Sequence, residues 1–170
     1  NRMGNHDHVR PHLLMLRGIR TPEDGQQFFN PSHDHLFDPF LMQDMDKAVD
    51  RLRRAKRDGE RVLVFGDYDV DGIAGSVILL NALEREGING SCGLPSRVAE
   101  GYGLSPDHVD AAHAAGVSLI ITVDNGINAR PAADRAAERG IDLVITDHHE
   151  PEGILPQAVA VVDPKRDGGR

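Results

Sequence analysis

The fold is decided by the stretch from Val62 to Gly72, which reads Val-Leu-Val-Phe-Gly-Asp-Tyr-Asp-Val-Asp-Gly. Its first four residues are apolar and typical of a buried β-strand, and the apolar residues after Gly72 predict a buried helix. Between the two lies a turn with three carboxylates, Asp67, Asp69 and Asp71. In an open parallel sheet, ligands bind just beyond the carboxyl ends of the strands. The stretch therefore predicts a strand, an acidic ligand-binding turn and a helix.

Several interpretations of the acidic turn compete. Three carboxylates within five residues repel one another, which favours a site that holds a divalent cation. A calcium EF-hand loop requires a Glu at its twelfth position, where a count from Asp67 reaches Ile78, so this interpretation fails. A strand followed by Asp-x-Asp also begins the aspartyl-phosphate phosphatases, in which one carboxylate is the nucleophile. A surface turn rich in Asp is the simplest structural explanation.

The composition favours an α/β protein. The chain has 170 residues, of which 39% are hydrophobic and only 4% aromatic, so the core must consist mainly of Val, Ile, Leu and Ala. Such a core is typical of parallel strands flanked by helices. The net charge of −8 does not by itself favour nucleic-acid binding. No apolar run approaches the roughly 18 residues of a membrane span, and the single cysteine, Cys92, indicates a reducing compartment, so we expect a cytoplasmic protein with no membrane partner.

Hydrophobic periodicity predicts an alternation of strands and helices. A helix over residues 44–57 has one apolar face, and we interpret its basic residues as a solvent-exposed face. Further helices are predicted at residues 72–86, 106–115 and 128–139, and strands at residues 62–65, 89–94, 117–123, 141–146 and 158–162. Strand–helix units in succession imply right-handed crossovers. We therefore predict a three-layer α/β/α fold with a mainly parallel five-stranded sheet.

The amino-terminal segment has a different composition. Residues 1–43 contain four of the five phenylalanines, and a high density of aromatic side chains indicates packing on another surface. We therefore expect an N-terminal arm at residues 1–43 that packs on a main domain at residues 44–170.

Three predicted strands end in metal-binding side chains. These are Asp67, Asp69 and Asp71 after the first strand, Asp124 after the third, and Asp147, His148 and His149 after the fourth. Parallel strands bring their carboxyl ends to one end of the sheet, so these groups are expected to converge. Carboxylates with one or two imidazoles suit Mn²⁺, Mg²⁺ or Fe²⁺. The pattern predicts a two-metal site that activates a water and hydrolyses a phosphate ester or anhydride.

The loop before the third predicted strand offers substrate contacts. Arg97 is suited to hold a phosphate with two parallel hydrogen bonds, and Tyr102, between Gly101 and Gly103, is suited to stack on a base. An ordinary glycine turn with an exposed arginine explains the same residues.

Together these motifs resemble the DHH phosphoesterase superfamily, whose signature stands here as Asp147-His148-His149. Within the superfamily the chain is most similar to the RecJ family of bacterial exonucleases. That likeness rests on four motifs: Gly66-Asp-Tyr-Asp-Val-Asp-Gly72, Arg97 with Glu100-Gly-Tyr-Gly-Leu104, Thr122-Val-Asp-Asn-Gly126, and Thr146-Asp-His-His-Glu150.

The resemblance implies a role for each candidate residue. Asp124 is expected to bridge two Mn²⁺ ions, with Mg²⁺ as the alternative metal. His149 is expected to face the scissile phosphate and Asp67 to support the metal shell as a second catalytic residue. The remaining assignments are metal ligands at Asp69, Asp71 and His148, and substrate contacts at Arg97 and Tyr102.

The implied function is hydrolysis of single-stranded DNA from its 5′ end in DNA repair and recombination. The implied partners are a single-strand-binding protein and a RecQ-type helicase.

The chain departs from the family pattern in two respects. Phe65 stands where many superfamily members have a metal-binding His, and neither the family's further downstream Asp nor its DHHA1 domain occurs before Arg170, so we expect a catalytic domain truncated at its carboxyl end. The alternatives are a phosphatase of pyrophosphate or short oligonucleotides, the pyrophosphatase or nanoRNase type, and a non-catalytic DNA-binding relative.

Overall fold

The computed structural model describes residues 9–95 and 103–166. The predicted substrate contacts Arg97 and Tyr102 lie outside these residues. The chain divides into two compact units, residues 1–38 and 39–170. The proposed packing of an arm at residues 1–43 on the main domain stays a prediction.

The first unit contains short helices. Helix α1 spans Val9–Leu16, α2 spans Pro22–Phe29, and a single 3₁₀ turn spans His33–His35. Thr21 caps α2, because its Oγ1 accepts a hydrogen bond from the Asp24 N–H at 3.1 Å and the Asp24 carboxylate accepts one from the Thr21 N–H. This reciprocal pair is a capping box, which fixes the start of the helix.

The second unit alternates helices and strands, as predicted. After a 3₁₀ turn at Pro39–Leu41, the elements in chain order are α3 (Met45–Asp58), β1 (Arg61–Phe65), α4 (Val70–Arg85), β2 (Asn89–Gly93), α5 (Pro106–Ala114), β3 (Leu119–Val123), α6 (Arg130–Arg139), β4 (Asp142–Thr146) and β5 (Ala160–Val162). None of the helices within the described ranges has the length and apolar character that a bilayer crossing requires.

The five strands form one parallel sheet in the order β2-β1-β3-β4-β5. Phe65, the last residue of β1, pairs with Thr122 of β3. Thr146, the last residue of β4, pairs with Val123 of β3 and with Val162 of β5. These four strands therefore finish nearly level, and the segments that follow them emerge side by side.

Helices cover both faces of the sheet. On one face, Ile120 and Ile145 of the strands pack with Val109 of α5 and Ala133 of α6. On the other face, a second apolar cluster joins the alternate strand residues to α3 and α4, and its members include Val62, Val64, Ile121, Val144, Ala48 and Leu83. Because neighbouring strand residues point to opposite faces, a strand can contribute to both clusters. The three-layer α/β/α prediction is confirmed.

Helix α4 differs from the prediction of a buried helix. Only Gly72, Ser76 and Leu83 are fully buried within it, whereas Val70 and Ile78 are 77% and 71% exposed. A helix in the outer layer of an open sheet covers the strands with one face only. The apolar run therefore identified the helix correctly but could not show which side of it is covered.

The amino ends of the strands are joined by an ion-pair network, the amino-end cluster, formed by Arg51, Arg54, Glu60, Ser118 and Asp142. The Arg51 guanidinium, only 3% exposed, lies 2.6 Å from Asp142 and 2.5 Å from Glu60. Arg54 also contacts Asp142, and the Ser118 hydroxyl donates to Glu60 at 3.1 Å. The interpretation of the basic residues of α3 as a solvent-exposed face is therefore wrong for Arg51.

Candidate metal centre

Acidic residues follow four adjacent strands at the carboxyl end of the sheet. Asp67, Asp124, Asp147 and Asp163 stand one or two residues beyond β1, β3, β4 and β5, and all four are at least nine-tenths buried. With three further side chains they form the carboxyl-end cluster, which consists of Asp67, Asp69, Asp124, Asp147, His148, His149 and Asp163.

Two groups of ligand atoms share one residue. One ligand atom from each of Asp67, Asp69 and Asp124 lies within 4.8 Å of the other two, and the same holds for Asp124, His148 and His149. Five of the predicted site residues are therefore brought together, with Asp124 common to both groups. Asp71 belongs to neither group.

The start of α4 explains why Asp69 and Asp71 differ. Asp69 is the N-cap of the helix, and its Oδ1 accepts hydrogen bonds from the N–H groups of Asp71 and Gly72, both at 3.0 Å. The Gly72 N–H has the largest influence and lowers the pKa of Asp69. A Cβ at Gly72 would lie 2.5 Å from the Asp67 nitrogen, so only glycine lets the helix start this close to Asp67. As the N-cap, Asp69 lies within the ligand group of Asp67 and Asp124. Asp71 lies two residues further on, exposed in the first turn of the helix.

Asp124 has an unusual backbone conformation. Its φ is 64°, in the left-handed region, and its N–H donates to the Thr146 carbonyl at 3.0 Å. Such a conformation in a residue other than glycine costs of order 1–3 kcal/mol and is found preferentially at functional sites. Burial raises the pKa of Asp124, and the Asp69 carboxylate raises it further, whereas His148, whose Nε2 lies 2.8 Å from Oδ1, opposes this shift. The charged form of Asp124 is therefore destabilised in the absence of a cation.

Asp147 organises the two histidines, a role that the sequence analysis missed. Its Oδ1 accepts hydrogen bonds from the backbone N–H groups of His148 and His149, and lies 2.7 Å from Nδ1 of His149. Its Oδ2 accepts from the Ile127 N–H at 2.9 Å. Because a carboxylate only accepts, Nδ1 of His149 carries a proton and donates it to Oδ1. The hydrogen bond to Asp147 raises the pKa of His149.

Asp163 is a second residue that the sequence analysis missed as part of the site. It is 3% exposed, and its Oδ1 accepts a hydrogen bond from the Lys165 N–H at 2.7 Å. In the part of the chain that the structure describes, nothing bonds to its Oδ2. Burial raises the pKa of Asp163, and the nearby Asp147 adds to this effect. Its position directly after a predicted strand was the signal that could have identified it.

The donor set fits a divalent metal. Asp67 is 1% exposed, and no donor among the described residues reaches its Oδ1. A buried carboxylate oxygen without a donor is costly, and a divalent cation is the compensation that such a site can receive. The oxygen and imidazole donors at the carboxyl end suit Mn²⁺ or Mg²⁺. Asp67, Asp69 and Asp124 could hold one ion, and Asp124 with His148 a second, with a ring nitrogen of His149 within 4.8 Å of both of these ligands.

A cleft of about 560 Å³ lies beside His149 and Asp147. His149 and Glu150 line it on the side of β4, and Gly103 and Leu104 line it on the side of α5. Gly103 directly follows Tyr102, which lies outside the described residues as does Arg97. The cleft is large enough for part of a nucleotide next to His149.

Comparison with known proteins places this arrangement in a family. A family model described as the DHH family, N-terminal domain, matches residues 61–169, more than half of the chain. The single-stranded-DNA-specific exonuclease RecJ of Bacillus subtilis is 38% identical over 164 residues, which cover 95% of this chain and 21% of that protein. The RecJ of Escherichia coli is 42% identical over 153 residues, which cover 89% and 26%. The chain thus spans about a quarter of the length of these curated relatives.

Solved structures agree with the fold. A crystal structure of exonuclease RecJ bound to manganese matches with a TM-score of 0.71 at 32% identity, covering 78% of this chain and 34% of that one. RecJ from Thermus thermophilus in complex with Mn²⁺ matches with a TM-score of 0.69 at 27% identity, covering 89% and 20%. The matched family region contains every residue of the carboxyl-end cluster, and the resemblance inferred from the motifs is confirmed: the chain belongs to the DHH family.

Proposed function

We propose that the protein is a metal-dependent 5′→3′ exonuclease that hydrolyses phosphodiester bonds of single-stranded DNA in DNA repair and recombination. One observation carries this proposal: the ligand atoms of Asp124 belong to both groups of metal-binding side chains at the end of the sheet. A shared carboxylate is what a pair of ions about 3.5–4 Å apart requires. The identity to RecJ proteins over most of the chain supports single-stranded DNA as the substrate.

A divalent metal is supported by the donor set and by the metal-bound RecJ structures. We propose two Mn²⁺ ions, with Mg²⁺ as the alternative. When bound, such ions activate the attacking water and stabilise the charge that develops on the phosphoryl oxygens. Asp71 is proposed as a ligand from the family motif alone, since the structure places it outside both groups.

The chain's own residues supply orientation. Asp147 accepts the Nδ1–H of His149, which holds the imidazole at the wall of the cleft, where we propose that it faces the scissile phosphate. Asp67 is held against the first turn of α4 by the close approach of Gly72 and is proposed to support the metal shell.

Substrate contacts complete the proposal. Arg97 is proposed to hold a DNA phosphate and Tyr102 to stack on a base. Since the net charge of −8 gives little long-range attraction for DNA, local contacts of this kind must supply the affinity. By resemblance, the proposed partners are a single-strand-binding protein and a RecQ-type helicase, and the proposed location is the cytoplasm.

The test is cleavage of labelled single-stranded DNA in the presence of Mn²⁺. We expect shortening from the 5′ end, and a loss by orders of magnitude for Asp124→Ala. The matched control is Asp110→Ala, which removes an acid that is paired with Arg139 on α6, away from the site, and is expected to keep its activity. Near-normal cleavage by Asp124→Ala would reject the two-metal assignment.

The same preparation separates the family alternatives. Pyrophosphate and dinucleotides are assayed beside long single strands at equal Mn²⁺ concentration. Faster turnover of the small substrates would assign a small-molecule or short-oligonucleotide phosphatase instead, and binding of DNA without hydrolysis would assign a non-catalytic relative.

A further inference from the structure

We propose that Asn125 is a positioning residue that sets the geometry of the metal centre and connects it to Leu104 at the wall of the cleft. This inference rests on the metal centre of the proposed function and adds to it a residue that binds no metal.

The Asn125 carboxamide is completely buried, and both of its polar atoms are hydrogen-bonded. Its side-chain nitrogen donates to the Phe65 carbonyl at 3.1 Å and to the Val123 carbonyl at 2.9 Å. Its side-chain oxygen accepts from the Leu104 N–H at 3.2 Å. An amide offers two donors and an acceptor in one plane, so this one group satisfies three backbone segments at once.

The bond to Phe65 connects the two halves of the metal site. The ladder between β1 and β3 ends with the pair Phe65 and Thr122. Beyond that pair, the chain leads to Asp67 and Asp69 on one side and to Asp124 on the other. The Asn125 side chain bridges the two strand ends at the point where the ladder stops, and thereby sets the distance between these ligands.

The bond to Val123 encloses Asp124. A side-chain donor from one flanking residue to the carbonyl of the other closes a tight turn around Asp124, whose φ is 64°. A residue keeps this conformation only where its surroundings determine it more than once. The Asp124 N–H bond to Thr146 is one such restraint, and the Asn125 amide supplies the second.

The hydrogen bond to Leu104 connects Asn125 to the wall of the cleft. Leu104 lies two residues after Tyr102, and a Cβ on the intervening Gly103 would stand 3.5 Å from the Asn125 Cβ. Leu104, which lines the cleft, is therefore fixed to the residue that follows Asp124. A shift of Asn125 would displace the cleft wall at Leu104 and the metal ligands together.

The test compares metal affinity with stability. Metal-stripped wild type, Asn125→Ala and Asn125→Ser are titrated with MnCl₂ by calorimetry, and their kcat and KM are measured on single-stranded DNA. Residues that orient metal ligands typically change metal affinity by about 10–100-fold when replaced. We expect Asn125→Ala to weaken Mn²⁺ binding about tenfold or more and to raise KM, with Asn125→Ser, which retains one donor, in between.

The matched control is Val109→Ala, which removes a fully buried apolar side chain of α5 and lowers stability without removing a hydrogen bond or a ligand of the site. We expect it to bind Mn²⁺ as wild type does. Equal Mn²⁺ affinity of Asn125→Ala and wild type, or an equal loss in Val109→Ala, would overturn the positioning role. Failure of both Asn125 variants to fold while Val109→Ala folds would also overturn it, since it would assign a purely structural role. Wild type that binds no Mn²⁺ would instead overturn the proposed function.

Discussion

The two ends of the same sheet differ in how their acidic side chains are paired. In the amino-end cluster, the acids Glu60 and Asp142 are matched by Arg51 and Arg54. In the carboxyl-end cluster, five aspartates face two imidazoles, and the pKa values of Asp124 and Asp163 are raised by burial. One end is neutralised by the chain itself, and the other is arranged for a cation from solution.

A buried charge stabilises the fold where its counter-charge belongs to the same chain. The network around Arg51 ties α3 to the start of β4 and to the turn before β1. At the opposite end, Asp67 keeps an oxygen without a donor among the described residues. Parallel strands concentrate the functional groups at that end because their carboxyl ends coincide.

The largest expected effect on stability is at the amino end. Arg51→Ala would leave Glu60 without its closest cation; because Glu60 and Asp142 are partly exposed and keep Arg54 nearby, we expect a loss of about 3 kcal/mol, the lower end for a broken buried pair. Urea denaturation followed by circular dichroism measures the loss. The control is Arg53→Ala, whose pair with Asp50 is exposed and worth about 0–1 kcal/mol. Equal urea midpoints for the two variants would show that the amino-end cluster contributes no more to stability than an exposed ion pair.

The next effect concerns the carboxyl end and its metal. Mn²⁺ at about 100 times its Kd is expected to stabilise the wild-type protein by roughly 2.7 kcal/mol, and EDTA to reverse this. Asp124→Asn is expected to lose the metal-dependent shift in thermal denaturation. Asp142→Asn, which removes an acid at the amino end, should retain it. A shift of equal size in both variants would mean that Mn²⁺ binds elsewhere.

A smaller effect is expected from pH. Because the folded-state pKa of Asp163 is raised above its ordinary value of 3.8, the stability present below pH 3.8 is lost as the pH rises through the folded-state pKa. Asp163→Asn can still accept the Lys165 N–H bond without the charge. In metal-free protein we therefore expect it to be more stable than wild type at pH 7. The unfolding free energies of wild type and Asp163→Asn should become equal below pH 3.8 in a denaturation series. A difference that stays constant with pH would show that the charge of Asp163 is not its cause.

The sequence predicted the candidate metal ligands better than it predicted the residues that hold them in position. Asp69, Asp124 and His148 could be identified because each follows a buried strand, and parallel strands end together. Asp147 and Asn125 were part of the same motifs, but their hydrogen bonds join segments about 20 and 60 residues apart, and no local pattern records such contacts. Arg51 was interpreted as exposed because the spacing of polar residues along a helix does not show which other segments pack against its polar face. Here Glu60 and Asp142 do so.

Local periodicity and short motifs were sufficient to predict the order of strands and helices, the parallel sheet and the family. Contacts between distant segments fixed the rest: Asp71 lies outside both groups of ligands, α4 exposes one apolar side, and a buried amide joins the strand ends. The physical reason is that distances between side chains follow from the packing of the whole sheet, whereas periodicity carries information only along one segment of chain.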